Sequence, residues 1–146
     1  MADDDAALPA ATERRSYKIW TYDKLRYNDT DRQGHVNNAV FATFFETGRV
    51  AFLYDQALNL AAPGCDFVVA RLAIDFRAEL YFPGKVDIGT RVLSIGRSSF
   101  TVGQGVFKDD LCVATAESVG VQMNKETRRA QQLTPAMTAW LEDRRR

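Results

Sequence analysis

Phenylalanine recurs with a helical period between residues 39 and 57. Phe41, Phe44, Phe45, Gly48 and Phe52 fall at i, i+3, i+4, i+7 and i+11, which places them on one stripe of a helix. Glu46, Arg49 and Asp55 fall toward its other faces. So aromatic a stripe has to be buried, and the rest of the chain offers mainly strands to bury it against. Asn37 or Asn38 supplies the N-cap, because either amide oxygen can accept from an orphan N–H of the first turn. Gly48 costs about 1 kcal/mol inside a helix. Its place on the stripe predicts that another backbone comes very close there. Glu46 and Arg49 have the i, i+3 spacing of a structural pair within the helix.

Around this helix the pattern is that of strands. Residues 17–27 mix Tyr, Ile, Trp and Leu with charges and suit a first strand, and the polar run 28–38 must be a loop. After Pro63-Gly64, residues 67–77 alternate, with Leu72, Ile74 and Phe76 on one side and Arg71, Asp75 and Arg77 on the other. Phe82-Pro83-Gly84 breaks the chain, and strands follow over 85–95, 100–107 and 111–123, with Asp109-Asp110 as a hairpin turn. In the last strand Cys112, Ala114, Ala116, Ser118 and Gly120 share one face, which leaves room for a helix to lie flat. Thr134-Pro135 starts a short closing helix carrying Met137, Trp140 and Leu141. Residues 1–15 read as a mobile tail, Arg144, Arg145 and Arg146 as a frayed end, and 16–143 as one domain. Short turns between successive strands imply antiparallel pairing. One helix across about five antiparallel strands is an α+β layer. Its sheet keeps open edges, and pairing two copies edge to edge protects them, so a homodimer is expected.

Composition removes several classes of function. Nineteen basic residues balance nineteen acidic ones, without the basic excess of a nucleic-acid binder. No apolar run approaches the roughly 18 residues of a membrane span. The start, MADDDAALPAATERR, has no apolar signal core, which predicts a cytoplasmic protein. Cys65 and Cys112 lack metal-ligand spacing and read as free thiols.

The chemistry is concentrated in residues 28–38, which hold Asp29, Asp31, the single histidine His35, and Asn37 and Asn38 just where the helix begins. A calcium loop fits Asp29, Asp31, Gln33 and Gly34 but fails at its last ligand, which falls on Val40. One His and two separated Cys are poor material for zinc. No metal and no cofactor is expected. An ionised aspartate beside a carbonyl can attack it or activate a water. The adjoining helix start offers free N–H groups and partial positive charge for the oxyanion. Carboxylate, imidazole and helix start together suit acyl transfer. The same residues also suit Asx-turns and a packed histidine with no chemistry at all.

Tyr27-Asn28-Asp29-Thr30-Asp31, Gly34-His35-Val36-Asn37-Asn38, then Phe44-Phe45-Glu46 and Arg49, resemble the active-site segment of the hot dog-fold acyl-CoA thioesterases of the 4-hydroxybenzoyl-CoA thioesterase family. The His-Val-Asn-Asn run also resembles plant acyl-ACP thioesterases. The agreement in element order extends to about residues 17–125. The resemblance implies a long central helix wrapped by a five- to six-stranded antiparallel sheet, working as a homodimer or dimer of dimers with sites at the subunit interface. It implies hydrolysis of an acyl-CoA to free acid and coenzyme A. Asp31 would be nucleophile or general base, the Asn38 amide would polarise the carbonyl, and His35 would orient or add polarity. Tyr27, Gly34, Val36, Phe41 and Phe45 would bind substrate, the acyl chain lying between the aromatic face and the sheet, with Phe52 a further candidate. Arg97, Arg128 and Arg129 are the cations available for the coenzyme's phosphates. The alternatives are a hydratase or dehydratase on the same fold, whose relatives lack the Asp-x-Asp element, and a non-catalytic acyl-CoA binding module.

Overall fold

The computed structural model describes residues 9–145. Five strands, β1 (Ile19–Lys24), β2 (Cys65–Phe76), β3 (Lys85–Ile95), β4 (Ser99–Lys108) and β5 (Leu111–Asn124), and two helices, α1 (Asn38–Leu53) and α2 (Pro135–Asp143), make up the fold. The strands form one antiparallel sheet in the order β1-β3-β4-β5-β2, with α1 lying across it in the hot dog arrangement. β2 is an edge strand although it precedes β3 in the chain, because the segment after α1 carries it to the far side of β5.

Phe41, Phe44 and Phe45 of α1 pack with Val86, Ile88, Val106, Ala114 and Ala116 of the sheet in a first core. Phe52 and Leu53 join Phe67, Phe100, Val102 and α2's Met137 and Leu141 in a second. Asn37 caps α1, its side chain accepting from the Ala39 N–H, and Thr134 caps α2 through the Met137 N–H. The small residues of β5 do not seat the helix along their whole length. The α1 backbone approaches β1, β3 and β4 more closely than β5, and at Gly120 the space is filled by the Phe100 ring.

Three local expectations change. α1 ends at Leu53 rather than near residue 57, because Asp55 turns the chain, its carboxylate accepting from the Ala57 N–H at 2.9 Å and its carbonyl from the Leu58 N–H at 3.1 Å. The close neighbours of Gly48 are side chains, not a backbone. A Cβ there would lie 2.5 Å from Gln104 Nε2 and 2.7 Å from Ile88 Cγ2. Arg49 is buried, and its guanidinium donates to Gln104 Oε1 at 3.4 Å rather than pairing with Glu46. Burial lowers the Arg49 pKa, and the charge of Glu46 opposes that shift.

Residues 9–15 depart from the tail expected of 1–15, whose first eight residues lie outside the described ones, as does Arg146. Gly89 and Gly105 face each other across β3 and β4. Their missing side chains open a trough that the Tyr17 ring fills. The Tyr17 hydroxyl donates to the Ala11 carbonyl, Arg91 donates to the Pro9 carbonyl at 2.8 Å, and Arg14 pairs with Asp87 at 2.9 Å while lying over Trp20. The segment is therefore fastened to the sheet face opposite α1. At the other end Arg144 stacks on Trp140, 4.1 Å from its ring centre. Burial pushes the Tyr17 phenol up to about 12 from its ordinary 10.0. A raised folded-state value keeps this contribution intact below pH 10 and removes it as the pH rises toward 12. Urea titrations of wild type and Tyr17→Phe across that window should show the wild type losing stability more steeply. Parallel curves would contradict the assignment.

Candidate active site

The loop before α1 folds on itself through its own backbone. The Asp31 N–H donates to the His35 carbonyl at 3.1 Å, and the Gly34 N–H returns to the Asp31 carbonyl at 3.0 Å. Gly34 takes φ +88, a left-handed turn open mainly to glycine. Thr30 and Val36 pair across the loop, and the Val36 N–H donates to the Leu80 carbonyl at 2.7 Å, which ties the loop to the segment after β2. Asp29 is structural here: its carboxylate accepts from the Arg26 N–H at 2.8 Å and its carbonyl from the Asn37 N–H at 2.9 Å.

Asp31 is half-buried, and both its carboxylate oxygens are engaged. Oδ1 accepts from the Gln33 N–H at 2.9 Å, an Asx-turn, and Oδ2 accepts from the Asn37 amide nitrogen at 3.3 Å. The other end of the same Asn37 amide caps the helix at 2.9 Å. One side chain thus ties the carboxylate to the start of α1. Among the amides there, Asn37 N–H is taken by Asp29, Ala39 N–H by the Asn37 side chain, and Val40 N–H by the Asn37 carbonyl. The Asn38 N–H has no acceptor among the described residues. It is an unclaimed donor at the positive end of the helix dipole.

Beside it lies an open cavity of about 360 Å³. Gln33, His35, Val36, Asn38 and Phe41 contribute one wall, and Phe76, Arg77, Ala78, Glu79 and Leu80 the other. Asp31 is not a wall residue; its carboxylate sits at the helix start next to Gln33 and Asn37. His35 is half-buried, with Nδ1 3.1 Å from the Val36 carbonyl. A carbonyl only accepts, so that contact needs the proton on Nδ1 and leaves Nε2 without one in the neutral ring. Val36 and Phe41, 1% and 2% exposed, form the apolar floor.

The other expected site residues are placed differently. Phe45 is fully buried in the first core and does not line the cavity. Phe52 belongs to the second core, where its ring stacks on Trp140. Both rings are packed into the space between α1 and the sheet and not along the cavity. Tyr27 stands outside the cavity, 79% exposed and edge-on to Phe82. Arg97, in the β3–β4 turn, and Arg128, in the turn after β5, lie at the opposite end of the sheet from Phe76. β2 has 12 residues, so its ends stand about 35 Å apart, and neither arginine reaches the cavity of its own protomer. The wall from Phe76 to Leu80 has no motif in the sequence. Its nearest signal is the Phe82-Pro83-Gly84 break, which marks where the chain leaves β2 and turns back.

Among the described residues no three His, Cys, Asp or Glu side chains gather to hold a metal ion. Cys65 and Cys112 are buried and free. No helix among these residues is long and apolar enough to cross a membrane.

Similarity to known proteins agrees with this architecture. A Pseudomonas aeruginosa protein of known structure superposes with a TM-score of 0.80 at 23% identity, covering 90% of this chain and 94% of its own, which is a likeness of fold. A thioesterase of Thermus thermophilus, solved with coenzyme A and zinc, is 26% identical with a TM-score of 0.73, over 88% of this chain and 95% of its own. A protein of Aquifex aeolicus (strain VF5) described as a candidate esterase is 24% identical over 98 residues, 65% of this chain and 77% of that protein. Residues 25–141 match the thioesterase-like superfamily, a span that takes in the Asp31 loop, α1 and all but the first strand of the sheet. The chain therefore belongs to the thioesterase-like superfamily and is a thioester hydrolase.

Proposed function

We propose that the protein hydrolyses an acyl-CoA to the free acid and coenzyme A, with Asp31 as nucleophile or general base. The observation that carries this reading is the unclaimed Asn38 N–H at the start of α1, with the Asp31 carboxylate fastened to the same helix start by Asn37. A thioester carbonyl in the cavity would place its oxygen on the Asn38 N–H. That donor and the helix dipole stabilise the charge that grows on the oxygen during attack. Asp31 attacks the carbonyl carbon, or takes a proton from a water that does. The tetrahedral intermediate collapses with cleavage of the C–S bond, and coenzyme A leaves as thiolate. On the nucleophilic route, water then hydrolyses the mixed anhydride and restores the carboxylate. His35 lines the same cavity and holds the substrate's polar end. Coenzyme A as the thiol carrier is supported by the complex of the Thermus thermophilus relative. Release of free thiol from a panel of acyl-CoAs tests the reading. A pure, folded protein that releases thiol from no member of the panel refutes it.

The activity is assigned to residues 16–143 acting as one unit in the cytoplasm, and to a homodimer or a dimer of dimers. β2 is an edge strand with Val68 and Val69 exposed along it, a surface that favours pairing with a second copy. Antiparallel pairing of two β2 strands about a two-fold axis sets the Cys65 end of one beside the Phe76 end of the other. A second copy would then bring its own Arg97 and Arg128 toward this cavity, where the coenzyme's phosphates need cations. Light scattering should give at least twice the chain mass. A particle of a single chain mass would remove both the dimer and the role of the two arginines.

A further inference from the structure

We propose that the Phe76 ring closes the acyl cavity and restricts the enzyme to compact acyl groups, an inference that rests on the acyl-CoA reading above. From the Asn38 N–H an acyl chain can leave in few directions. Inward it meets Phe41, 2% exposed, which is braced edge-on by Phe44 at 5.8 Å. Behind Phe41 lie Phe45, Ile88 and Val106, all at 0% exposure and packed in the same core. Val36 and Leu80 close the floor, both 1% exposed and joined by their 2.7 Å backbone bond. Along the wall, the apolar path runs past the end of β2, and there the Phe76 ring stands edge-on to Phe41 at 5.4 Å with the planes at 85°. The open cavity of about 360 Å³, at roughly 30 Å³ for each water-sized group, has room for on the order of ten non-hydrogen atoms.

Phe41 and Phe76 hold their places by different means. Phe41 is locked in the core, whereas Phe76 is 50% exposed at a strand end and rests mainly on Phe41. Truncating Phe76 therefore opens the wall without emptying the core.

The experiment measures binding of non-hydrolysable S-alkyl-CoA thioethers of graded length, from butyl to hexadecyl, by calorimetry on the whole protein. In the wild type, affinity should rise with each methylene up to about eight carbons and then stop rising. In Phe76→Ala the rise should continue, so that the dodecyl thioether gains about tenfold over wild type while the butyl thioether stays within twofold. Phe76→Leu, which keeps an apolar side chain on the strand, should fall between them. A wild-type affinity that keeps climbing past dodecyl, a plateau unmoved in both variants, or no binding of any thioether overturns the assignment. Binding is read apart from turnover. A protein that binds with the expected break yet releases no thiol from acyl-CoAs would defeat the hydrolase reading and leave this one standing.

Discussion

Replacing Asp31 with alanine is expected to lower kcat/KM toward the best acyl-CoA by about 10²-fold or more, the range for removing a positioned acid–base group or nucleophile. The fold should survive, because the loop is closed mainly by backbone bonds: Asp31 N–H to His35, Gly34 N–H to Asp31, and Val36 N–H to Leu80. Alanine deletes only the side-chain bonds to the Gln33 N–H and the Asn37 amide. Asp31→Asn is the sharper control, since it keeps the shape and one acceptor oxygen but removes the charge. Both variants should fall together if the charge matters. An Asp31→Ala protein that folds and turns over at the wild-type rate would remove Asp31 from the chemistry. His35→Ala should lose less, because the His35 ring lines the cavity and its one hydrogen bond goes to the Val36 carbonyl, not to the Asp31 carboxylate. A loss equal to that of Asp31 would instead make the two a single catalytic unit.

The largest expected effect on stability is at Gly48. Valine there would place a branched side chain where even a Cβ comes within 2.5 Å of Gln104 Nε2 and 2.7 Å of Ile88 Cγ2. Gln104 cannot simply swing aside. Its Nε2 donates to the Phe45 carbonyl at 3.0 Å and to Thr90 Oγ1 at 3.1 Å, and its Oε1 accepts from the buried Arg49 guanidinium. Displacing it leaves a desolvated cation without its acceptor, on top of the overpacking. The expected cost is about 3 kcal/mol or more, read as a fall in the urea midpoint. Gly48→Ala should lose less, because alanine regains about 1 kcal/mol of helix propensity. A valine variant within about 0.5 kcal/mol of wild type, the range of an ordinary surface change, would show that the helix can lift off the sheet there at little cost.

The sequence and the structure agree where period and punctuation are strong. The Phe stripe, the strand alternation over 85–95 and the Thr134-Pro135 start needed only local patterns, and each element appears close to its expected bounds. Helix ends were less legible. Asp55 diverts the chain by bonding its own downstream backbone, which competes with the helix and leaves no mark in the hydrophobic period. The burial of Arg49 leaves no mark in the period, which cannot reveal that a polar partner, Gln104 on β4, waits under the helix. The motif half of the cavity could be read because its chemistry-bearing residues are close in sequence. The half from Phe76 to Leu80 is an unmarked run, joined to the motif only by the Val36–Leu80 bond. The N-terminal segment was misjudged for a similar reason. Its composition is that of a free tail, but two glycines some seventy to ninety residues away make a place for Tyr17 and with it the chain before it.

Asn37 has a consequence for how such a protein could be altered. The oxygen of its amide secures the first turn of α1, and the nitrogen of the same group donates to the Asp31 carboxylate. If Asp31 acts as proposed, turnover and thermal endurance both pass through this one three-atom fork and are coupled at that position. A lineage seeking a new reaction on this scaffold would find more freedom at the exposed positions of the far wall, such as Phe76 and Glu79, than at this shared amide.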